Sequence, residues 1–132
     1  MEQIDLMSGE EIIKEYEKAL LIESTSTTGG LIGTRKIFLT NKRIFMPVDS
    51  ENSWSFFYNR SDYEFSQSKK FFTFSSLNTS KFYVKSVDKD SNEVGIWCKQ
   101  SGIFSFIPRK WKLANTEDSD FIYDSIRKFK VD

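Results

Sequence analysis

Asp88, Asp90 and Asn92 stand at alternate positions and reproduce the first three ligand places of a calcium loop, where side-chain oxygens gather around one hard cation. The next demands of such a loop are not met. Glu93 stands where the sharp turn needs glycine, and Lys99 where a bidentate glutamate closes the cage. The triplet therefore reads as a polar turn. Glu117, Asp118 and Asp120 are a second carboxylate group of the right type for acid–base work. They precede an amphipathic segment, however, where acids cap a helix and complement its dipole. Cys98, the one cysteine, follows Trp97 in an apolar run, with no cation at helix-like spacing to hold a thiolate, and reads as a buried structural thiol. The chain has no histidine, which removes the usual general base, most zinc sites and every triad built on imidazole. Gly29, Gly30 and Gly33 have neither the spacing nor the lysine of a phosphate loop. The expectation is a binding module, not an enzyme, with no metal and no cofactor.

Binding chemistry is carried by four basic groups: Arg35-Lys36, Lys42-Arg43, Lys69-Lys70, and Arg109-Lys110 with Lys112. A phosphate or anionic head-group site is the functional reading of them. Solvated turn charge is the plainer one, and the acids interspersed throughout favour it. Five extended residues, about 17 Å, separate Arg35-Lys36 from Lys42-Arg43, so the two do not share a pocket. Bases beside aromatics, as in Lys69-Lys70-Phe71-Phe72 and Trp97-Cys98-Lys99, have the form of a stacking platform for single strands. Alternate packing of strand residues explains the same pattern. Lys plus Arg equals Asp plus Glu at 19 each, which leaves no overall field, and no nucleic-acid partner is expected. Trp111, between Lys110 and Lys112 in a loop-like stretch, is the leading exposed aromatic: a membrane anchor, a protein anchor, or a cover for a barrel edge.

The elements that must position these residues are mostly strands. A chain of 132 residues has length for one domain, taken as 1–132, and its 13 Phe, 5 Tyr and 3 Trp suit pleated surfaces. Thr34–Thr40 and Arg43–Met46 flank the polar pair Asn41-Lys42 and predict a hairpin. In its register Leu39 faces Ile44 and Ile37 faces Met46 toward the core. Phe38 faces Phe45 on the outer side, where the pair must be covered or left adhesive. Trp54, Phe56 and Tyr58, a turn at Asn59–Asp62, then Tyr63 and Phe65 suggest a second hairpin. Further strands are expected at Phe71–Leu77, Lys81–Val87, Glu93–Lys99 and Gly102–Ile107, forming a meander that closes as a barrel or sandwich. Acids at 117–120, then Ile122, Ile126 and Phe129, then Arg127, Lys128 and Lys130, predict a helix from about 118 to 130. Residues 9–20 read two ways. Ser8 and Glu11 form a capping box before Ile12, Ile13 and Tyr16 at helical spacing, whereas Ala19–Ser24 is equally the run of a first strand. With one cysteine, no apolar run of membrane-spanning length, and acids at Glu2 and Asp5, the composition points to a cytoplasmic chain.

Gly33 to Phe45, with its Leu39-Thr40-Asn41-Lys42-Arg43 turn between two apolar strands, resembles the signature of GRAM and bacterial pleckstrin-homology-like domains. Gly9-Glu10-Glu11-Ile12 is similar to that family's opening, and the later strands and final helix follow its order over most of the chain. The resemblance implies a strongly bent antiparallel barrel of about seven strands, one end capped by the C-terminal helix. It favours a strand over residues 15–25. In that family inositol-phosphate binding uses several Lys and Arg around the first β-turn; here Ser24 to Gly33 has none, and only Arg35 and Lys36 follow. Two functions are expected. The first is protein–protein binding or self-association through a sheet edge or the Phe38–Phe45 face. The alternative is peripheral binding to an anionic membrane surface through Arg35, Lys36, Lys99 and Trp111.

Overall fold

Alternation of apolar and polar residues carries most of the chain into strands, and the computed structural model describes residues 6–23, 30–47, 52–67, 78–90, 92–99, 109–114 and 118–130. In chain order these are β1 (Ile12–Glu23), β2 (Gly30–Thr40), β3 (Arg43–Pro47), β4 (Asn52–Phe57), α1 (Arg60–Gln67), β5 (Asn78–Asp90), β6 (Glu93–Lys99), β7 (Arg109–Ala114) and α2 (Ser119–Phe129). The architecture is mainly β, seven strands curled into a barrel with a C-terminal helix, as expected. The N-terminal segment is strand and not helix: bulges in β1 let Ile12 and Tyr16 both pair with β2.

The β2–β3 hairpin has the expected register, with Phe38 opposite Phe45 and Leu39 opposite Ile44. The period-two alternation then sorts the sheet into two faces. Ile37, Leu39, Ile44, Met46, Phe56, Phe82, Val84, Val94, Ile96 and Cys98 line the barrel core. Ile122 and Ile126 of α2 complete that core. The α2 helix spans the barrel end: the Phe129 ring stacks on Tyr58 at 6.2 Å, and Asn59 Nδ2 donates to the Phe129 carbonyl at 2.8 Å.

Three expectations are corrected. The sheet is not a pure antiparallel meander, because β4 and β5 run parallel, from Asn52 opposite Asn78 to Phe57 opposite Tyr83. A parallel pair needs a crossover, and α1 lies in it. Tyr63 and Phe65 therefore sit on a helix, not a strand. Two residues apart on a helix they point to different sides, and Tyr63 is buried while Phe65 is exposed. Lastly, Trp111 lies in β7 and not in a loop; Lys110 and Lys112 face away from it on either side, and it is only 2% exposed. The strands expected at 71–77 and 102–107 lie outside the described residues.

Candidate functional site

On the outer face of the sheet, strand register places Phe38 and Thr40 of β2 beside Arg43 and Phe45 of β3, Ser55 and Phe57 of β4, and Lys81 and Tyr83 of β5. This face is a second buried layer. Phe38 and Phe45, 6.0 Å apart, are 3% and 4% exposed, so the outer pair is covered within the chain and does not present an adhesive surface. Met7 packs here against Phe57 and Tyr63, with Tyr83 alongside.

The residues that bring Met7 to this face form a tight turn. The Glu10 N–H donates to the Met7 carbonyl at 2.9 Å, and Gly9, the third residue of the turn, has φ +78°, which a side chain would strain. Asn41, in the β2–β3 turn, ties this segment down: its Oδ1 accepts the Glu11 N–H at 2.7 Å and its Nδ2 donates to the Gly9 carbonyl at 3.0 Å.

The turn delivers the Glu10 carboxylate to a charged site. Arg43 Nε donates to Oε2 at 2.9 Å and Nη2 to Oε1 at 3.2 Å, a two-pronged pairing. The Thr40 hydroxyl adds a bond to Oε2 at 2.7 Å, and the Met7 N–H one to Oε1 at 2.8 Å. Each carboxylate oxygen thus accepts two hydrogen bonds. The remaining geometry holds the receptor side. Arg43 Nη1 donates to Ser55 Oγ at 3.0 Å, and the guanidinium carbon lies 5.0 Å from the Phe45 ring centre and 5.6 Å from that of Phe57. The Thr40 hydroxyl accepts the Arg43 N–H at 2.9 Å. Tyr58 Oη lies 2.9 Å from the carbonyls of both Thr40 and Arg43. Burial pushes the Tyr58 phenol well above its ordinary pKa, which keeps it a donor. Both charged side chains are shut off from water, Glu10 at 0% and Arg43 at 5% exposure.

A second ionic contact pins the start of α2. Asp118 was expected to cap that helix, but its side chain makes no capping bond. It is drawn instead to β1, where it accepts from Lys14 Nζ and from Tyr16 Oη at 3.2 Å. The Lys14 hydrogen bond holds the Asp118 carboxyl below its ordinary pKa, while burial and the Asp118 charge push the Tyr16 phenol up. A carboxylate whose folded pKa is depressed contributes stability above its unfolded value, and that contribution is lost as pH falls through the folded value. The stability difference between wild type and Asp118→Asn, measured by urea unfolding, is therefore expected to be present at neutral pH and to shrink below about pH 4. A difference independent of pH would rule out the carboxylate as its source.

The residues singled out by sequence do not converge. Lys36 Nζ lies 3.4 and 3.6 Å from Glu15 and Glu17 and 5.2 Å from the Phe38 ring centre, so its charge is answered locally. Arg35 faces Ala19 in the β1–β2 register, and its side chain is outside the described part. Lys99 ends β6 opposite Tyr83, and no ion pair or ring contact among the described residues joins it to Lys36. Trp111 is interior, with Trp54, Phe56 and Phe82 at 4.9, 6.0 and 6.1 Å, and so presents no anchor to a membrane or partner. Asp88 and Asp90 lie in the β5–β6 hairpin, Asp88 bonded to Lys110 at 3.0 Å. Gly95 leaves room for that pair, because a Cβ there would strike the Asp88 carboxylate and Lys110. Among the described residues no three His, Cys, Asp or Glu side chains group as metal ligands, and no helix is long and apolar enough to cross a membrane.

In the sequence Glu10 stands only in a resembled opening, and Arg43 only in the Lys42-Arg43 basic pair of a turn. Nothing in their spacing pairs two residues 33 positions apart.

The fold and site define a seven-stranded β barrel with a helix at one end and an N-terminal turn bound to its outer face. Comparison of the chain with protein-family models, curated proteins and solved structures finds no match.

Proposed function

We propose that this chain is a non-catalytic interaction module of the pleckstrin-homology-like kind that associates with a second copy of itself. The supporting observation is three exposed apolar side chains, two where β1 begins and one on α2. Ile12 and Ile13 are 41% and 38% exposed, and Phe121 of α2, at 44%, lies against Lys14, whose Nζ is 5.8 Å from its ring centre. Glu11, Lys14 and Glu15 neighbour Ile12 and Ile13 in the sequence, and Lys14 pairs with Asp118 at the start of α2, so both signs of charge accompany these side chains. Apolar side chains accompanied by charges of both signs suit a two-fold contact between identical surfaces, which must be self-complementary. Strand addition is a poorer use of the same region. Among the described residues of β1, Leu20–Glu23 alone pair with β7, leaving the leading half of β1 with β2 alone. That edge, however, is interrupted by bulges and lined with charge, the features that block open-ended pairing.

Light scattering over a dilution series is expected to show a dimer that dissociates on dilution. Ile13→Glu with Phe121→Ser is expected to remain folded and to lower the dimer affinity at least about tenfold. A monomer at every concentration overturns self-association. The membrane alternative is tested with vesicles rich in anionic lipid: no co-sedimentation is expected at low salt, given that Lys36 is paired and Trp111 interior. Salt-sensitive binding would favour the alternative instead.

A further inference from the structure

The Glu10 site has two parts of different character. Its receptor belongs to the barrel: Thr40, Arg43 and Ser55 come from three neighbouring strands, and the guanidinium is oriented by Ser55 and the Phe45 and Phe57 rings. None of those contacts involves the N-terminal segment. Its ligand belongs to one short turn, in which an apolar side chain, Met7, precedes a carboxylate, Glu10, by three residues. A dry ion pair adds little stability over apolar side chains of the same volume, because desolvation offsets the attraction. What it adds is selectivity, since only a carboxylate in that place answers the buried arginine.

We propose that residues 6–11 are an intramolecular ligand that the barrel can release, and that the vacated receptor binds a glutamate-bearing turn of a partner protein with an apolar residue three positions earlier. The chemistry of the partner is read from the segment already seated there. The notch formed by Phe57, Tyr63 and Tyr83 accepts the apolar side chain, and Arg43 with Thr40 accepts the carboxylate. Beyond its two side chains, the bonds that tie the segment to the barrel among the described residues are those of Asn41, whose side chain holds Gly9 and Glu11 and whose N–H donates to the Glu11 carbonyl at 3.2 Å. The tethered turn competes at the millimolar effective concentration of a short linkage, so the intact chain meets a partner in a partly inhibited form. This surface is separate from the Ile12, Ile13 and Phe121 side chains, and neither inference depends on the other.

Hydrogen exchange on the intact chain tests release. The amides of Met7, Glu10 and Glu11 are expected to exchange together, at least about tenfold faster than those of Leu39 and Ile44. Equal rates would make the segment part of the global folding unit and overturn the proposal, and this measurement needs no variant to fold. Binding is tested with a synthetic peptide of residues 4–13. The folded Glu10→Gln chain is expected to bind it saturably, and at least about tenfold more tightly than the wild-type chain, whose own turn competes. A peptide carrying Gln in place of Glu10 is expected to bind at least about tenfold more weakly. No saturable binding, or equal binding of both peptides, overturns carboxylate recognition. Saturation by free glutamate as readily as by peptide would reduce the site to a simple anion site. If light scattering shows that Glu10→Gln dissociates a wild-type dimer, the occupant is a second copy and the partner assignment falls.

Discussion

Arg43→Ala is expected to lower the unfolding free energy by about 3–5 kcal/mol, read as a shift of the urea midpoint at constant slope. The cause is the carboxylate left behind. Glu10 is wholly buried, and three of its four hydrogen-bond donors are Arg43 Nε, Arg43 Nη2 and the Thr40 hydroxyl that Arg43 itself helps to orient. Removing the guanidinium strands a charge in a dry site. The double replacement Glu10→Leu with Arg43→Met removes both charges and keeps the volume, and is expected to fall within about 2 kcal/mol of wild type. The coupling energy of that cycle is then large while the net worth of the pair is small. Equal destabilisation by the single and double variants would mean that the pair is held by packing and not by charge. The outcome bears on function as well: a pair of small net worth is a poor explanation of stability and a good one of which segment the face accepts.

Trp111→Ala is expected to cost about 3–5 kcal/mol, because the indole fills the centre of a cluster with Trp54, Phe56 and Phe82 and leaves a cavity when removed. Trp111→Phe is expected to cost distinctly less, about 1–2 kcal/mol. The Trp111 Nε1 is buried with no hydrogen-bond partner among the described residues, a burden that phenylalanine lifts while keeping a ring in place. Denaturant unfolding followed by circular dichroism orders the three proteins. An Ala variant as stable as wild type would return Trp111 to the surface role that its flanking lysines suggested.

The hairpin at 33–46 was legible in the sequence because everything that fixes it is local: a two-residue polar turn sets the register, and period two then assigns every face. The C-terminal helix was legible for a similar reason, its apolar side chains repeating within one segment. Trp111 misled because Pro108 and two lysines resemble a loop, although Lys110, Trp111, Lys112 and Leu113 alternate as a half-buried strand should. Tyr63 and Phe65 misled in the opposite way, since two aromatics two residues apart satisfy a strand pattern by chance, and only the burial of one and exposure of the other distinguishes a helix. The parallel β4–β5 pairing and the Glu10–Arg43 site were beyond local reading altogether. Each joins residues more than twenty positions apart, and no spacing rule connects a turn carboxylate to a base on the far side of two strands. The face of Phe38 and Phe45 lies between these cases: its direction was clear, and its cover was not.

The seam of the barrel also sets a timetable for folding. Ile22 of β1 pairs with Lys112 of β7, a separation of 112 − 22 = 90 residues, whereas Leu39 pairs with Ile44 across five. Chain-closure entropy rises with that separation, so the short hairpin is expected to form early and the seam last. Made on a ribosome, the chain would hold the β7-facing edge of Leu20–Glu23 unpaired until β7 has emerged. The charges of β1 lie mostly ahead of Leu20, and the Leu20–Leu21–Ile22 stretch that waits longest has one irregularity, between Leu21 and Ile22, to blunt it. Newly made chains are therefore most prone to mispair with one another during that interval, and slower synthesis between β1 and β7 would lengthen it.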